Sequence, residues 1–428
     1  MKRLLPVCVV AIWSICAALP TSAQDPQDYF NIDDFSSEAL YATGELGVGA
    51  RARGLGGNSV GIADDATALY HNPAGLAQLV RIETSLGLHS LRDESTHEMF
   101  GATATADASY SGLDHIAIAY PFPTYRGSLV LAGGVFRARS SDLDTSRRDR
   151  RTGATNYDDE FDRAQDGGLW QWTGGLAVDL LRDLSFGFNL SYWHGTLEDD
   201  QLRSIDESGV LNYRYDDRLV TESDADGFSF DLGLMTYAGE HGRLGFVLRS
   251  PVWLNIDGAG TYFLDEAGSS TQDYVYIVDE PRLPWSMAVG GSYGIGWALL
   301  TGELRYKAWD EVEGVPRSGS DIPGADPDYD AQWGGGLGLE ITVPGSPLRL
   351  RGGWSRDPEP YRLHLGNPAT MAQERDLWSV GGGVLLSDAF ALDIGAAFAE
   401  FERADRQFPQ VSERRSERRI HVTGAYRF

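Results

Sequence analysis

The stretch Leu184-Ser185-Phe186-Gly187-Phe188-Asn189-Leu190-Ser191-Tyr192 decides the fold, because a large apolar side chain stands at every even position. The residues between them are small or polar, which is the period-two pattern of a β-strand with one apolar face. The same alternation returns at 228–234, at 390–398 and at the chain's last ten residues, 419–428. Alternation alone fits a soluble sandwich, whose apolar faces form a core, and equally a membrane barrel, whose apolar face meets lipid.

The connections between strands separate these two interpretations. Long polar connections, such as 140–167, 198–226 and 258–282, follow odd strands, whereas short turns such as Arg182-Asp183 follow even strands. Outer-membrane barrels keep their long loops at one end, and soluble sandwiches have no reason to do so. The pattern therefore predicts an all-β fold, a 14-stranded antiparallel transmembrane β-barrel closed so that no strand edge is unpaired in hydrocarbon. The predicted strands are 81–91, 113–122, 127–139, 168–181, 184–197, 227–237, 242–257, 283–294, 297–309, 331–343, 347–356, 377–386, 390–402 and 419–428.

The composition excludes several other classes of protein. The 428-residue chain is 11% aromatic and carries a formal net charge of -26. The aromatic content argues against intrinsic disorder, and the acid excess argues against nucleic-acid binding. After the first two dozen residues no run of about 18 apolar residues occurs, which excludes a helical membrane protein.

Residues 1–23 have the pattern of a secretory signal peptide. Met1-Lys2-Arg3 gives a positive start, an apolar stretch follows, and Thr21-Ser22-Ala23 supplies the small residues that a signal peptidase reads. A lipoprotein signal at Cys16 is the alternative, with a bulky residue before it where a small one is expected. Both cysteines of the chain, Cys8 and Cys16, lie in this segment, so the exported chain is expected to contain no disulfide.

Residues 24–80 form a second predicted unit, distinct from the barrel at 81–428. They lack sustained alternation, and 63–70 reads as a short helix that ends before Pro73. A barrel of fourteen strands cannot fill its lumen with wall side chains alone. We therefore expect residues 24–80 to fold into the lumen as a hatch.

Several motifs resemble the FadL/TodX family of hydrophobic-compound transporters. The run 54–76, ending Tyr70-His71-Asn72-Pro73-Ala74-Gly75-Leu76, resembles the N-terminal hatch of that family. The runs 282–290, 349–360 and 378–383 resemble its later strands in the same order. The resemblance implies a passive uptake channel in the Gram-negative outer membrane for long-chain fatty acids or aromatic hydrocarbons. It also implies that Asn72, Pro73, Ala74 and Gly75 form the hatch motif, that the hatch rearranges, and that ligand leaves sideways at a kinked third strand.

Two further sets of residues are candidates for the transport path. Gly133 and Gly134 lie in the predicted third strand, where paired glycines weaken a ladder, and they are the candidate lateral opening. Close packing against the hatch is the alternative explanation for them. Arg249, Arg349 and Arg351 are expected on the lumen face, where an arginine either holds a ligand carboxylate or pairs with acids such as Asp231 and Asp393; pairing is favoured.

No enzyme, metal site or cofactor is predicted. Gly57-Asn58-Ser59-Val60-Gly61 matches a nucleophile elbow, but no buried strand precedes it. Asp326, Asp328 and Asp330 lack the glycine and the final glutamate of a calcium loop, which leaves weak divalent binding as an alternative to a solvated acidic loop.

Three functions remain open from the sequence. The first is hydrophobic-compound uptake, the second is a PorV-like barrel acting in protein secretion or surface attachment, and the third is a general porin or structural barrel. The expected partners are a hydrophobic small molecule, outer-membrane lipid and lipopolysaccharide, and the barrel-assembly machinery that reads an aromatic C-terminus such as Phe428. No nucleic acid is expected among them.

Overall fold

The computed structural model describes residues 47–99, 101–153, 156–209, 212–266, 268–311, 331–358, 375–404 and 411–428. The predicted signal peptide and the start of the predicted hatch lie outside these residues. So do Asp326, Asp328 and Asp330 of the acidic loop.

Fourteen antiparallel strands close into one barrel, which confirms the predicted fold. The strands are β1 Glu83–Met99, β2 Ala102–Phe122, β3 Leu129–Ser140 and Leu143–Arg151, β4 Asn156–Leu181, β5 Leu184–Ser208, β6 Tyr213–Ala238, β7 Gly242–Arg249 and Val252–Glu266, β8 Ser269–Asp279, Arg282–Leu283 and Ser286–Ile295, β9 Ala298–Lys307, β10 Gln332–Thr342, β11 Leu348–Arg356, β12 Asp376–Leu385, β13 Phe390–Ala404 and β14 Val411–Arg427. Strand β1 pairs with β2 on one side and with β14 on the other, from Glu83↔Arg427 to Met99↔Val411. This pairing between the first and last strands closes the sheet.

The helices are short and lie mostly before the first strand. They are α1 Ala50–Gly54 and α2 Ala68–His71, with 3-10 turns at Pro73–Gln78 and Trp309–Glu311. The predicted helix at 63–70 therefore begins later and ends at His71. None of the helices in the described residues has the length and apolar composition needed to cross a bilayer.

The outer surface of the barrel carries the apolar band expected of a wall in contact with lipid. Leu337, Leu350 and Ile394 are each more than half exposed, although burial of such side chains would be favourable in water. Exposed aromatic side chains bound this band on both sides, as in other transmembrane barrels. Near the short turns they are Tyr120, Phe122, Tyr237, Tyr293, Trp297, Tyr426 and Phe428; near the opposite side they are Trp172, Tyr192, Phe228, Trp333, Trp378 and Phe398.

The strands continue well beyond the lipid band, where the sequence predicted long loops. The segments 140–167, 198–226 and 258–282 are mostly strand, and β4, β5 and β6 contain 26, 25 and 26 residues. About ten tilted residues suffice to cross a bilayer. The prediction of three long loops is therefore wrong. These segments form hairpins that extend the barrel wall outside the membrane.

Diagonal ion pairs between neighbouring strands stabilise this extension. Arg163 pairs with Asp199 at 2.7 Å, Arg203 with Asp159 at 2.8 Å, and Arg148 with Asp158 at 2.9 Å. Outside lipid, the outward positions can be charged, so the apolar alternation that marks a membrane strand is lost there. This loss is the physical reason why the sequence pattern predicted loops.

Candidate functional site in the barrel lumen

Residues 47–80, called the N-terminal segment below, lie inside the barrel. Most of this segment has no ladder of its own, so its backbone donors need other acceptors. At the start of α1, the N–H of Gly49 donates to Asp114 Oδ2 at 2.9 Å. The N–H of Ala50 donates to Thr423 Oγ1 at 2.9 Å. The N–H groups of Ser59 and Val60 both donate to Glu303 Oε2 at 2.9 Å. Lumen-facing side chains from distant strands thus satisfy the segment's backbone.

A set of lumen-facing glycines makes room for the N-terminal segment. A Cβ placed on Gly187 would lie 2.2 Å from Ala74 N, and one on Gly353 would lie 2.3 Å from Gly56 N. No real Cβ approaches a backbone atom so closely, so only glycine fits. Eight strands supply one such glycine each, at distances of 2.2 to 3.0 Å from the segment: Gly187, Gly233, Gly245, Gly290, Gly338, Gly353, Gly381 and Gly395.

The motif Asn72-Pro73-Ala74-Gly75 holds the segment in shape and attaches it to the wall. Asn72 is fully buried; its Oδ1 accepts from Ala74 N at 3.1 Å, and its Nδ2 donates to Val60 O at 3.1 Å and to Leu234 O at 3.2 Å. Pro73 begins a 3-10 turn, where its missing N–H is not needed. A Cβ on Gly75 would lie 2.1 Å from Ala63 O, so this position also requires glycine.

A chain of ion pairs crosses from the N-terminal segment to the wall. Arg51 pairs with Asp64 at 2.5 Å and with Glu340 at 3.1 Å. Glu340 also accepts from Arg351 at 2.7 Å, and Arg351 pairs with Asp393 at 2.5 Å. Arg351 is therefore engaged in this chain, while Arg349, on the same face of β11, lies two residues nearer the short turn after β10.

Asp114 occupies a β-bulge that points two successive side chains into the lumen. The register between β1 and β2 shifts at Gly87/Leu88, with Asp114 as the extra residue. Asp114 and His115 are both fully buried. His115 Nδ1 donates to Asp114 Oδ2 at 2.8 Å, Ser85 Oγ donates to His115 Nε2 at 2.8 Å, and His421 Nδ1 lies 3.3 Å from Asp114 Oδ1. In the described residues no group of His, Cys, Asp or Glu has the arrangement of a metal site.

Strands β2 and β3 separate at this bulge. Their ladder runs from Phe122↔Leu129 to His115↔Phe136 and no further, whereas β2 continues to pair with β1 throughout the described residues. Two residues after Phe136, β3 has its own bulge at Ala138. Its second part then turns against the lumen face of β1, where Ser95 Oγ donates to Asp144 O at 3.3 Å. We call this break the β2–β3 seam.

The seam is not at the glycine pair that the sequence singled out. Gly133 pairs with Ile118 and Gly174, and Gly134 pairs with Ala117 and Thr173. The ladder is thus unbroken on both sides of these glycines. A side chain at Gly134 would clash with the ring of Phe136 at 2.8 Å, so this glycine provides close packing beside the seam.

Two cavities meet at the N-terminal segment. The cationic cavity has a volume of about 80 Å³, and its wall includes Gly47, Arg53 and Arg419. The Trp193 cavity has about 60 Å³, and its wall includes Trp193, Val252, Leu283 and the bulge residue Ala138. The residues shared by both walls are Tyr70 and Arg249.

Tyr70 stands between the two cavities and beside the seam. The Arg249 guanidinium lies 5.7 Å from the Tyr70 ring centroid, and its Nη2 donates to Tyr70 O at 3.2 Å. The Tyr70 ring is 5.5 Å from that of Phe136, the last β3 residue paired with β2. Of the three predicted lumen arginines, Arg249 alone lines these cavities, and sequence reasoning missed Tyr70, Asp114 and Arg53.

These features define a membrane β-barrel whose lumen is filled by its own N-terminal segment. Comparison with family models matches residues 35–243, slightly under half of the chain, to the family described as BamG. Comparison with curated proteins gives no match.

Solved structures show the same architecture. The chain superimposes on the P. putida toluene transporter TodX with a TM-score of 0.64 and 14% identity, covering 89% of this chain and 98% of TodX. It superimposes on the Ralstonia pickettii toluene transporter TbuX with a TM-score of 0.59 and 14% identity, covering 90% and 99%. It superimposes on a Pseudomonas aeruginosa FadL homologue with a TM-score of 0.57 and 14% identity, covering 90% of this chain and 98% of the homologue. The resemblance to the FadL/TodX family is thereby confirmed as a shared fold.

Proposed function

We propose that the protein is a passive outer-membrane channel for hydrophobic compounds, in which the N-terminal segment acts as the hatch and ligand leaves sideways through the β2–β3 seam. The observation that carries this proposal is the position of the Trp193 cavity. Ala138 belongs both to the cavity wall and to the β3 bulge at the seam. An apolar molecule in this cavity therefore lies beside the position where the pairing between β2 and β3 ends in the described residues.

The energetics of sideways exit need no external source. Each methylene that passes from water to hydrocarbon releases about 0.8 kcal/mol. The seam begins at Phe136, next to Val135, whose partner Trp172 belongs to the aromatic border of the apolar band. Exit through the seam spares the compound a second transfer through water. The similar fold of TodX and TbuX, both described as toluene transporters, supports an aromatic hydrocarbon as one class of cargo; the FadL homologue supports the wider class of hydrophobic compounds.

The test is uptake by a Gram-negative host that lacks such a channel. Radiolabelled toluene and oleate are supplied outside, and accumulation is compared with the empty host. Ala50→Cys with Thr423→Cys places a removable link between the N-terminal segment and β14, where Ala50 N now donates to Thr423 Oγ1 at 2.9 Å. No other cysteine lies beyond the predicted signal peptide. We expect oxidation to lower uptake to background and reductant to restore it, while Ala50→Cys alone responds to neither. Uptake no greater than that of the empty host, with the barrel inserted, would refute the proposal.

The match to the BamG family model favours a second candidate, association with the barrel-assembly machinery. This candidate differs from the secretion or surface-attachment role raised by the sequence and agrees with the barrel-assembly machinery as an expected partner. The matched residues include the N-terminal segment and β1–β6. Purification of the tagged chain from its native membrane in mild detergent decides this. Stoichiometric recovery of assembly components together with absent uptake would favour the second candidate over the first.

A further inference from the structure

The cationic cavity carries a charge excess that the proposed hydrocarbon path does not use. Six cationic side chains and two carboxylates line it in the described part of the chain. With the neighbouring Glu417 and with Asp231, which lies opposite Arg249 on β6, the six cations face four carboxylates in the described residues. The cations are Arg53, Arg249, Arg305, Lys307, Arg375 and Arg419, and the carboxylates are Glu303 and Asp357.

The acids near this cavity already have partners. Glu303 accepts from two backbone N–H groups through Oε2 and lies 3.2 Å from Arg305 through Oε1. Asp357 pairs with Lys307 at 3.4 Å. Glu417 is shared by two arginines, at 2.6 Å from Arg375 and 3.0 Å from Arg419.

Arg53 differs from Arg305, Lys307, Arg375 and Arg419 in having no such partner. Arg53 is 8% exposed, and its Nε has no hydrogen-bond acceptor. In the described residues no carboxylate forms an ion pair with it. It projects from α1 into the cavity wall. A buried guanidinium without an ion-paired carboxylate is costly, and repulsion from Arg375 and Arg419 opposes the attraction of Asp114. This balance favours an additional anion in the cavity.

We propose that the cationic cavity binds a phosphoryl group. A volume of about 80 Å³ has room for roughly six waters, which suits a tetrahedral oxyanion. The remaining excess of two positive charges matches a dianion better than a single carboxylate. Guanidinium groups present forked donors that pair with phosphate oxygens. This inference goes beyond the proposed uptake and does not depend on it.

Free phosphate and a lipid headgroup offer the same chemistry, and two probes distinguish them. Binding to the purified full chain in detergent is measured by calorimetry with inorganic phosphate, with dihexanoyl phosphatidic acid, and with acetate and hexanoate as carboxylates. We expect at least one phosphoryl probe to bind more tightly than either carboxylate, with affinity that falls as salt rises. Binding of phosphatidic acid alone identifies a headgroup as the source, and binding of inorganic phosphate identifies the free ion.

Arg53→Gln tests the assigned residue. We expect it to weaken phosphoryl binding about tenfold or more, as loss of a charge-assisted contact does, and Arg53→Lys to recover part of the loss. Arg349→Gln is the matched control, because Arg349 faces the lumen but is absent from the cavity wall. Since Arg53→Gln removes a buried charge, the barrel is expected to stay folded. Carboxylates that bind as well as phosphoryl probes, no binding to the unaltered chain, or an unchanged Arg53→Gln affinity would each overturn the proposal.

Discussion

The backbone N–H of Gly49 donates to Asp114 Oδ2 at 2.9 Å, which joins the N-terminal segment to the bulge where β2 and β3 separate. Tyr70 makes a second connection through its ring contact with Phe136. His115, next to Asp114, stacks on the same Phe136 ring at 6.1 Å. Any displacement of the segment must therefore change the contacts that border the seam, which gives the proposed hatch a direct physical link to the proposed exit.

Asp114→Ala is expected to loosen this link. It leaves the Gly49 N–H and the His115 ring without their acceptor, and each buried group left unsatisfied costs about 1–3 kcal/mol. We expect a lower free energy of unfolding and faster hydrogen–deuterium exchange in residues 47–60. Asp107→Ala is the control, since its side chain is 66% exposed on the outer face of the same strand. Exchange equal to that of the unaltered chain would show that Asp114 does not hold the segment.

Gly353→Ala is expected to displace the N-terminal segment while the barrel still forms. Its Cβ would lie 2.3 Å from Gly56 N, and such overpacking costs about 1–3 kcal/mol. Gly352→Ala is the adjacent control, because the nearest atom to its Cβ is 4.0 Å away. Limited proteolysis of the segment in folded barrels measures the effect. Equal protease resistance in the two variants would contradict the role assigned to the lumen glycines.

The number of strands was readable from the sequence because lipid imposes the alternation. Leu184–Tyr192 and the last ten residues show it plainly, and the short turns divide the strands. The extension outside the membrane was missed because its outward residues contact water. Arg148-Asp149-Arg150 faces Glu160-Asp159-Asp158 across the hairpin, and this charge pattern could have indicated paired strands there.

The site was only partly readable from the sequence. The motif at Asn72–Gly75 consists of consecutive residues, so its resemblance to the FadL/TodX hatch was visible in the sequence. The Asp114 bulge depends on a single-residue register shift against β1, which alternation does not reveal in advance. The cationic cavity draws Arg53, Arg305 and Arg419 from distant parts of the chain, so only the closed barrel brings them together.

Tyr70→Ala is expected to join the two cavities. The Tyr70 ring is part of both walls, and its removal would open a continuous space beside Arg249. Ion conductance in planar bilayers should then rise several-fold over that of the unaltered chain, whose lumen is filled. Tyr70→Phe keeps the ring and should conduct as the unaltered chain does. Unchanged conductance in Tyr70→Ala would show that another group separates the cavities.

Asp217 gives the extension outside the membrane a pH-dependent stability. It lies on β6 well beyond Phe228, and burial raises its pKa to about 7, against the opposing effect of Arg203. The folded state therefore keeps this proton to a higher pH than the unfolded chain, whose aspartate has a pKa of about 3.9. Between about pH 4 and 7 the folded state binds more protons, so stability from this group falls as pH rises through that window.

Asp217→Asn removes this dependence. Denaturant unfolding at several pH values should show that the unaltered chain loses stability relative to Asp217→Asn between about pH 4 and 7. Asp158 supplies a control of opposite sign, because hydrogen bonds from Arg148 and Arg150 lower its pKa to about 2. Asp158→Asn should therefore change the profile only below about pH 4, where the aspartate loses its paired charge. The difference in free energy of unfolding between the unaltered chain and Asp217→Asn could instead stay constant from pH 4 to 8. Asp217 would then titrate alike in the folded and unfolded states, and its burial between β5 and β7 would not couple folding to proton binding.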